Sequence, residues 1–219
     1  LKDPARFIET HAAWTPLPFL EGIGAYLASE VTPLWEATEI WLEETGLAPP
    51  YWAFAWPGGQ ALARYVLDRP EEVRGRRVLD FAAGAGLAGI AACRAGAARA
   101  QGSDLDPLAL SAMALNAQRN HEDFTPLDED VTRHPPASGH APWDVVLAGD
   151  VCYEKPMTDL VLPWLRAMAG RGARVLLADP GRAYLPVQGL VELARYKVPV
   201  SQAVEASEMR ETLVYALMP

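Results

Sequence analysis

Three aspartates, a run of glycines and one tyrosine are the residues of this 219-residue chain whose spacing can do chemistry. In VLDFAAGAGLAG (78–89) an apolar strand runs into a turn carrying Gly84, Gly86 and Gly89, and then into a helix. Glycines take positive φ and let a ligand approach the backbone. The helix start that follows favours a negative group. Gly84-Ala-Gly86-Leu-Ala-Gly89 matches the dinucleotide fingerprint, with Asp104 twenty residues beyond Gly84 to accept from ribose hydroxyls. A nicotinamide-linked dehydrogenase is therefore one reading. Asp80 opposes it. An acid inside the strand, just before the turn, faces a ligand with a positive end better than a pyrophosphate. The amino and sulfonium groups of S-adenosylmethionine supply such an end.

A second constellation closes WDVVLAGDVCYE (143–154), where Asp150 and Tyr153 follow an apolar strand. Open α/β sheets bind ligands at the carboxyl ends of their strands, and packing such a strand requires neither residue. Asp144, at its other end, reads as structural, and Asp106 before Pro107 reads as a helix cap. A third feature is the aromatic loop Tyr51, Trp52, Phe54, Trp56, followed by Gly58 and Gly59. Aromatic rings there can wall a pocket and attract a cation, or simply pack on the core. The four histidines lie in polar or proline-rich stretches, and no His/Cys cluster has metal spacing, so no metal is expected. No G-x-S-x-G elbow is present.

The elements that must carry these residues alternate. RRVLDF (76–81), ARAQGSD (98–104), a weak run at 124–128, WDVVLAGD (143–150) and ARVLLAD (173–179) read as strands. Helices are expected from Pro57 to about Leu67, over 87–95, over 107–120 and over 157–169. Short apolar strands separated by helices make a parallel sheet covered on both faces. Tyr196–Ala203 and Thr212–Leu217 have no helix between them and predict an antiparallel hairpin. Residues 1–50 differ: prolines cut them into short pieces, eight acids face two bases, and 4–13 and 34–45 read as helices. The predicted organisation is a helical extension over 1–50 and a main domain over 51–219.

Composition narrows the partners. Lys and Arg number 19 against 28 Asp and Glu, a formal charge of −9. Nucleic acid and anionic membranes both need basic surface, so neither is an expected partner. Cys93 and Cys152 fall in a helix and a strand end, which suggests a reducing, cytoplasmic setting. No apolar run nears the roughly 20 residues that span a bilayer, and the early charges predict no secretory leader. High alanine and arginine usage suggests a GC-rich bacterial genome.

VLDFAAGAG, GSDLDP, NAQRN and GDVCY, in this order, resemble the seven-strand S-adenosylmethionine-dependent methyltransferases. PYWAFAWPGGQALARYVLD (51–68), GDVCY (149–153) and ADPGR (178–182) resemble their protein-lysine methyltransferase subfamily with a D-x-x-Y motif. Within it, the match is to enzymes acting on the electron-transfer flavoprotein beta subunit and their bacterial relatives, over about 30–219. The resemblance implies an α/β, Rossmann-like seven-strand sheet, mostly parallel with a C-terminal antiparallel hairpin. It implies S-adenosylmethionine as cofactor and a lysine-bearing protein as substrate. By position, Asp80, Gly84 and Gly86 would cradle the methionine part, Asp104 the ribose and Asp130 the adenine end. Trp56 and Gly59 would line the cofactor. Asp150 would grip and aim the ammonium, and Tyr153 would shape the channel. Ala82 stands where the family's motif has its first glycine. Methylation of a ribosomal protein or of a small molecule such as nicotinamide is the alternative, as is a non-catalytic S-adenosylmethionine-binding module.

Overall fold

The computed structural model describes residues 3–28, 49–133, 139–200 and 208–219; the helix expected over 34–45 lies outside them. In chain order the elements are α1 (Pro4–His11), β1 (Ala13–Pro16), β2 (Gly24–Leu27), α2 (Pro57–Asp68), β3 (Arg77–Phe81), α3 (Leu87–Arg94), β4 (Arg99–Ser103), α4 (Pro107–Asn120), β5 (Phe124–Leu127), β6 (Val145–Gly149), α5 (Lys155–Gly170), β7 (Arg174–Asp179), β8 (Leu190–Pro199) and β9 (Met209–Leu217). A proline opens α1, α2 and α4, where its fixed φ suits the first helical turn. Asp106 caps α4 as expected, accepting from the Leu108 N–H at 2.8 Å.

Seven strands form one sheet in the order β5-β4-β3-β6-β7-β9-β8. β5 to β7 are mutually parallel, and β9 runs antiparallel to both its neighbours. The central strands are apolar at successive positions because both faces are covered. Val78, Val145 and Leu176 face the layer of α2, α3 and α4, while Leu79, Val146 and Leu177 face α5. The chain leaves β3 toward β5 on one side and returns to β6 on the other. The crevice between those two excursions is where such sheets bind ligands. At the opposite end Asp144 is structural: it accepts from the Arg77 N–H and pairs with its guanidinium.

The described part of the N-terminal extension is one helix followed by the β1–β2 hairpin, which the sequence reading did not anticipate. Two asparagines of NAQRN seat it on α4. Asn116 accepts from the Tyr26 N–H at 2.8 Å and donates to the Ala85 carbonyl at 2.9 Å. Asn120 accepts from the Gly24 N–H and donates to the Gly24 carbonyl. Arg119 lies over Trp14 and Tyr26. The same helix thus holds the extension and the glycine turn. β8 begins six residues earlier than predicted, because a register shift between Glu192 and Ala194 breaks its alternation.

Candidate active site

A cavity of about 700 Å³ opens at the carboxyl ends of β3, β4 and β6. Asp80, Gly84, Asp104, Asp150, Tyr153, Trp56 and Gly59 all line it. Asp80 is buried at the end of β3, and its carboxylate accepts from the Gly89 N–H at 2.7 Å. Burial pushes its carboxyl up to about 8, with the nearby Asp104 charge adding to the rise. Asp104 holds two backbone donors, Gly84 N–H at 2.9 Å and Asp106 N–H at 3.1 Å. Burial raises its carboxyl too.

Asp150 follows β6 with φ of 56°, a conformation Asp tolerates better than most residues. Its Oδ2 accepts from Gly58 N–H at 2.6 Å and Gly59 N–H at 3.1 Å, the first turn of α2. Its Oδ1 lies 3.5 Å from the Arg182 guanidinium. Burial pushes the carboxyl up to about 7; Arg182 opposes the rise and Asp179 adds to it. Tyr153 packs against Tyr51 with ring centroids 5.7 Å apart, and burial pushes its phenol up to about 12.

The aromatic loop serves both of its expected uses. Trp52 and Phe54 are buried in the core, and all four rings, Tyr51, Trp52, Phe54 and Trp56, line the cavity. Trp56 Nε1 donates to the Tyr51 carbonyl at 2.7 Å, which fixes the ring against its own loop.

Two predicted site residues stand elsewhere. Gly86 does not line the cavity: a Cβ on it would meet the Phe124 ring at 2.7 Å and Met113 at 3.0 Å. It is a packing glycine, with φ of 77° at the start of α3. Asp130 is also absent from the lining; its carboxylate is taken by Thr132, at 2.6 Å from Oγ1, and by Arg133. It closes the turn after β5. Conversely, Arg182 lines the cavity, a residue to which the sequence alone assigns no role. Asp179 at the end of β7 accepts from the Gly181 and Arg182 N–H groups, and this turn aims the guanidinium over Trp56, 5.8 Å from the ring centroid. The ADPGR segment was its sequence signal.

Ala82 adopts φ of 51°, where a Cβ is disfavoured by about 1–2 kcal/mol. Glycine removes that strain but loosens the unfolded chain. Ala82→Gly is therefore expected to gain about 0.5 kcal/mol or more in stability. Urea denaturation measures this, and titration with S-adenosylhomocysteine should show affinity no weaker than that of the parent.

Two carboxylates at adjacent strand ends, a positive-φ glycine between them and an open face at Gly59 suit a nucleoside with a cationic tail. These residues fit S-adenosylmethionine. Known proteins agree. The ribosomal protein L11 methyltransferase (PrmA) family matches residues 60–151, the stretch holding the glycine turn, Asp104 and Asp150. The electron transfer flavoprotein beta subunit lysine methyltransferase of Xenopus laevis is 36% identical over 222 residues, spanning 99% of this chain and 87% of the relative. The human protein of that name is 35% identical, spanning 84% of this chain and 70% of its own. Magnesium protoporphyrin IX methyltransferase from Synechocystis, solved with bound S-adenosylmethionine, shares the fold with a TM-score of 0.53. It is 14% identical, with 86% of each chain covered. The sheet, the cavity and likeness over nearly the whole chain converge: this protein belongs to the electron transfer flavoprotein beta subunit lysine methyltransferase family and is an S-adenosylmethionine-dependent protein-lysine N-methyltransferase.

Proposed function

We propose that the protein methylates lysine side chains of the electron-transfer flavoprotein beta subunit, in the cytoplasm of a bacterium. The substrate reading is carried by the near full-length likeness to the frog and human enzymes of that name. The setting rests on composition and on the two unpaired cysteines. Among the described residues no helix is long and apolar enough to cross a membrane. Residues 51–219 would form the methyltransferase domain and 1–50 an N-terminal extension, whose described residues 3–28 pack on α4.

Asp80, Gly84, Asp104, Trp56 and Gly59 would hold the cofactor; Tyr153 would shape the substrate end, at the strand end that Asp150 closes. When bound, S-adenosylmethionine supplies a methyl group activated by a sulfonium. The chain supplies alignment of the incoming amine with that methyl. A lysine must arrive neutral, against a reference pKa near 10.4. Desolvation in the narrow channel disfavours the ammonium form, against the pull of the aromatic faces on a cation. Asp150 does not reverse this, because Arg182 and two N–H groups already match its charge. Tyr51 and Tyr153 would narrow the channel through which the side chain reaches the methyl.

A pH dependence follows. Without cofactor, Asp80 holds a proton below about pH 8. A sulfonium nearby favours the carboxylate, so binding expels that proton. Cofactor affinity should rise as pH increases toward 8, by up to about tenfold per unit, and flatten above it. Calorimetry in buffers of different ionisation enthalpy would detect the released proton; no proton release at pH 7 would exclude the linkage.

The function is tested with radiolabelled S-adenosylmethionine, purified electron-transfer flavoprotein and a bacterial lysate, beside an Asp104→Ala control. Label on the beta subunit, lost in the control, supports the substrate. Label on another protein alone, a ribosomal protein included, discards the named substrate and keeps the enzyme class.

A further inference from the structure

The carboxylate of Asp150 is mostly buried and turned toward the protein rather than along the channel. Oδ2 is occupied by the N–H groups of Gly58 and Gly59. Oδ1 is buried and accepts no hydrogen bond, with Arg182 beside it at 3.5 Å. An ammonium entering from the channel therefore does not reach the buried Oδ1 and finds Oδ2 already holding two N–H groups. The donors on Oδ2 belong to the segment that carries Trp56 and Gly59 into the cofactor cavity. That segment sits very close to the strand ends. A Cβ on Gly58 would lie 2.6 Å from the Ala178 carbonyl oxygen, and a Cβ on Gly149 would lie 2.6 Å from the Gly59 nitrogen. Gly58 and Gly59 on one side and Gly149 on the other allow the approach, and the carboxylate bridges it.

We propose that Asp150 is a positioning residue: it clamps the aromatic loop, residues 51–59, onto the ends of β6 and β7, and acts on methyl transfer through the cofactor rather than by gripping the lysine. Its positive φ turns the side chain back toward α2 instead of out along the channel. The helix N-terminus supplies donors that favour a carboxylate there. Arg182, held by the Asp179 turn, balances the charge and touches the same loop through Trp56. The Asp-to-Gly-Gly clamp thus couples the D-x-x-Y strand end to the cofactor wall.

The inference rests on the cavity being the methyl-transfer site; its test reads cofactor binding first, which needs no protein substrate, and then turnover on a lysine substrate. Binding of S-adenosylhomocysteine is measured by calorimetry for the parent, Asp150→Asn and Asp150→Ala. An asparagine side chain still offers an oxygen to both N–H groups. Asp150→Asn should stay within about threefold of the parent, and Asp150→Ala should weaken binding about tenfold or more, the loss of roughly one such contact. Turnover on a lysine substrate should follow the same order, with Asn rescuing what Ala loses. If Asp150→Asn binds the cofactor normally and yet loses more than about 100-fold in kcat, the lysine is the partner and the clamp is refuted. The Asn variant alone decides this, should the Ala variant not fold.

Discussion

Replacing Asp104 with alanine is expected to weaken S-adenosylmethionine binding by about 100-fold or more. The side chain works twice. It holds the glycine turn through Gly84 N–H and the start of α4 through Asp106 N–H. Its place at the end of β4, on the cavity wall, suits it to accept from two ribose hydroxyls. A hydrogen bond to a charged group contributes about 1.5–3 kcal/mol. Losing two of them is worth about 3 kcal/mol, or roughly two decades in affinity. Asp104→Asn keeps an acceptor and should lose about tenfold. Titration with S-adenosylhomocysteine reads both. A loss below tenfold in the alanine variant would remove Asp104 from the cradle.

The second large effect concerns stability. Phe124, the first residue of β5, is buried, and Gly86, Gly89 and Gly102 all face its ring. Three elements, the turn before α3, α3 itself and β4, are kept free of side chains so that one ring can fill the space between them. Phe124→Ala should therefore cost about 3–5 kcal/mol. Gly89→Ala puts a methyl into the ring and should cost about 1–3 kcal/mol. Combining Gly89→Ala with Phe124→Leu should cost less than the two single changes together, because the smaller side chain leaves room for the methyl. Urea denaturation of the four variants gives the numbers. Additive losses would mean that the ring and the glycine do not share this space.

The same ring explains where the sequence misleads. A glycine run after a strand reads as a ligand cradle, and Gly84 lines the cavity. Gly86 and Gly89 answer instead to Phe124, some thirty-five residues away, and no local pattern announces that contact. Asp130 was placed by analogy of position, but a threonine two residues on captures its carboxylate. The β1–β2 hairpin was hidden for another reason. Its strands are four residues each, too short for a readable period, and they depend on Asn116 and Asn120 from a distant helix. What was legible sits in the sheet. Apolar runs such as VVLA and VLLA require burial on both faces, and each acid at the end of such a run has to be explained by a site. Asp80 and Asp150 are read that way, Asp104 from its spacing beyond the glycine turn, and ADPGR, which also ends an apolar strand, offers Arg182 the same signal.

The placement of β9 between β7 and β8 has a consequence for how the chain is made. Synthesis delivers β8 before the strand that must separate it from β7. Until residues 209–217 emerge from the ribosome, β7 keeps an open edge and β8 has no native neighbour. Unpaired edges recruit other strands, and closure of this kind waits on long-range pairing, which is slow. The nascent chain therefore passes through a stage in which the five parallel strands and their helices can already assemble while the next strand lacks its place. Aggregation during expression should concentrate at that stage, and faster delivery of the last strand, or a chaperone shielding β7, should relieve it.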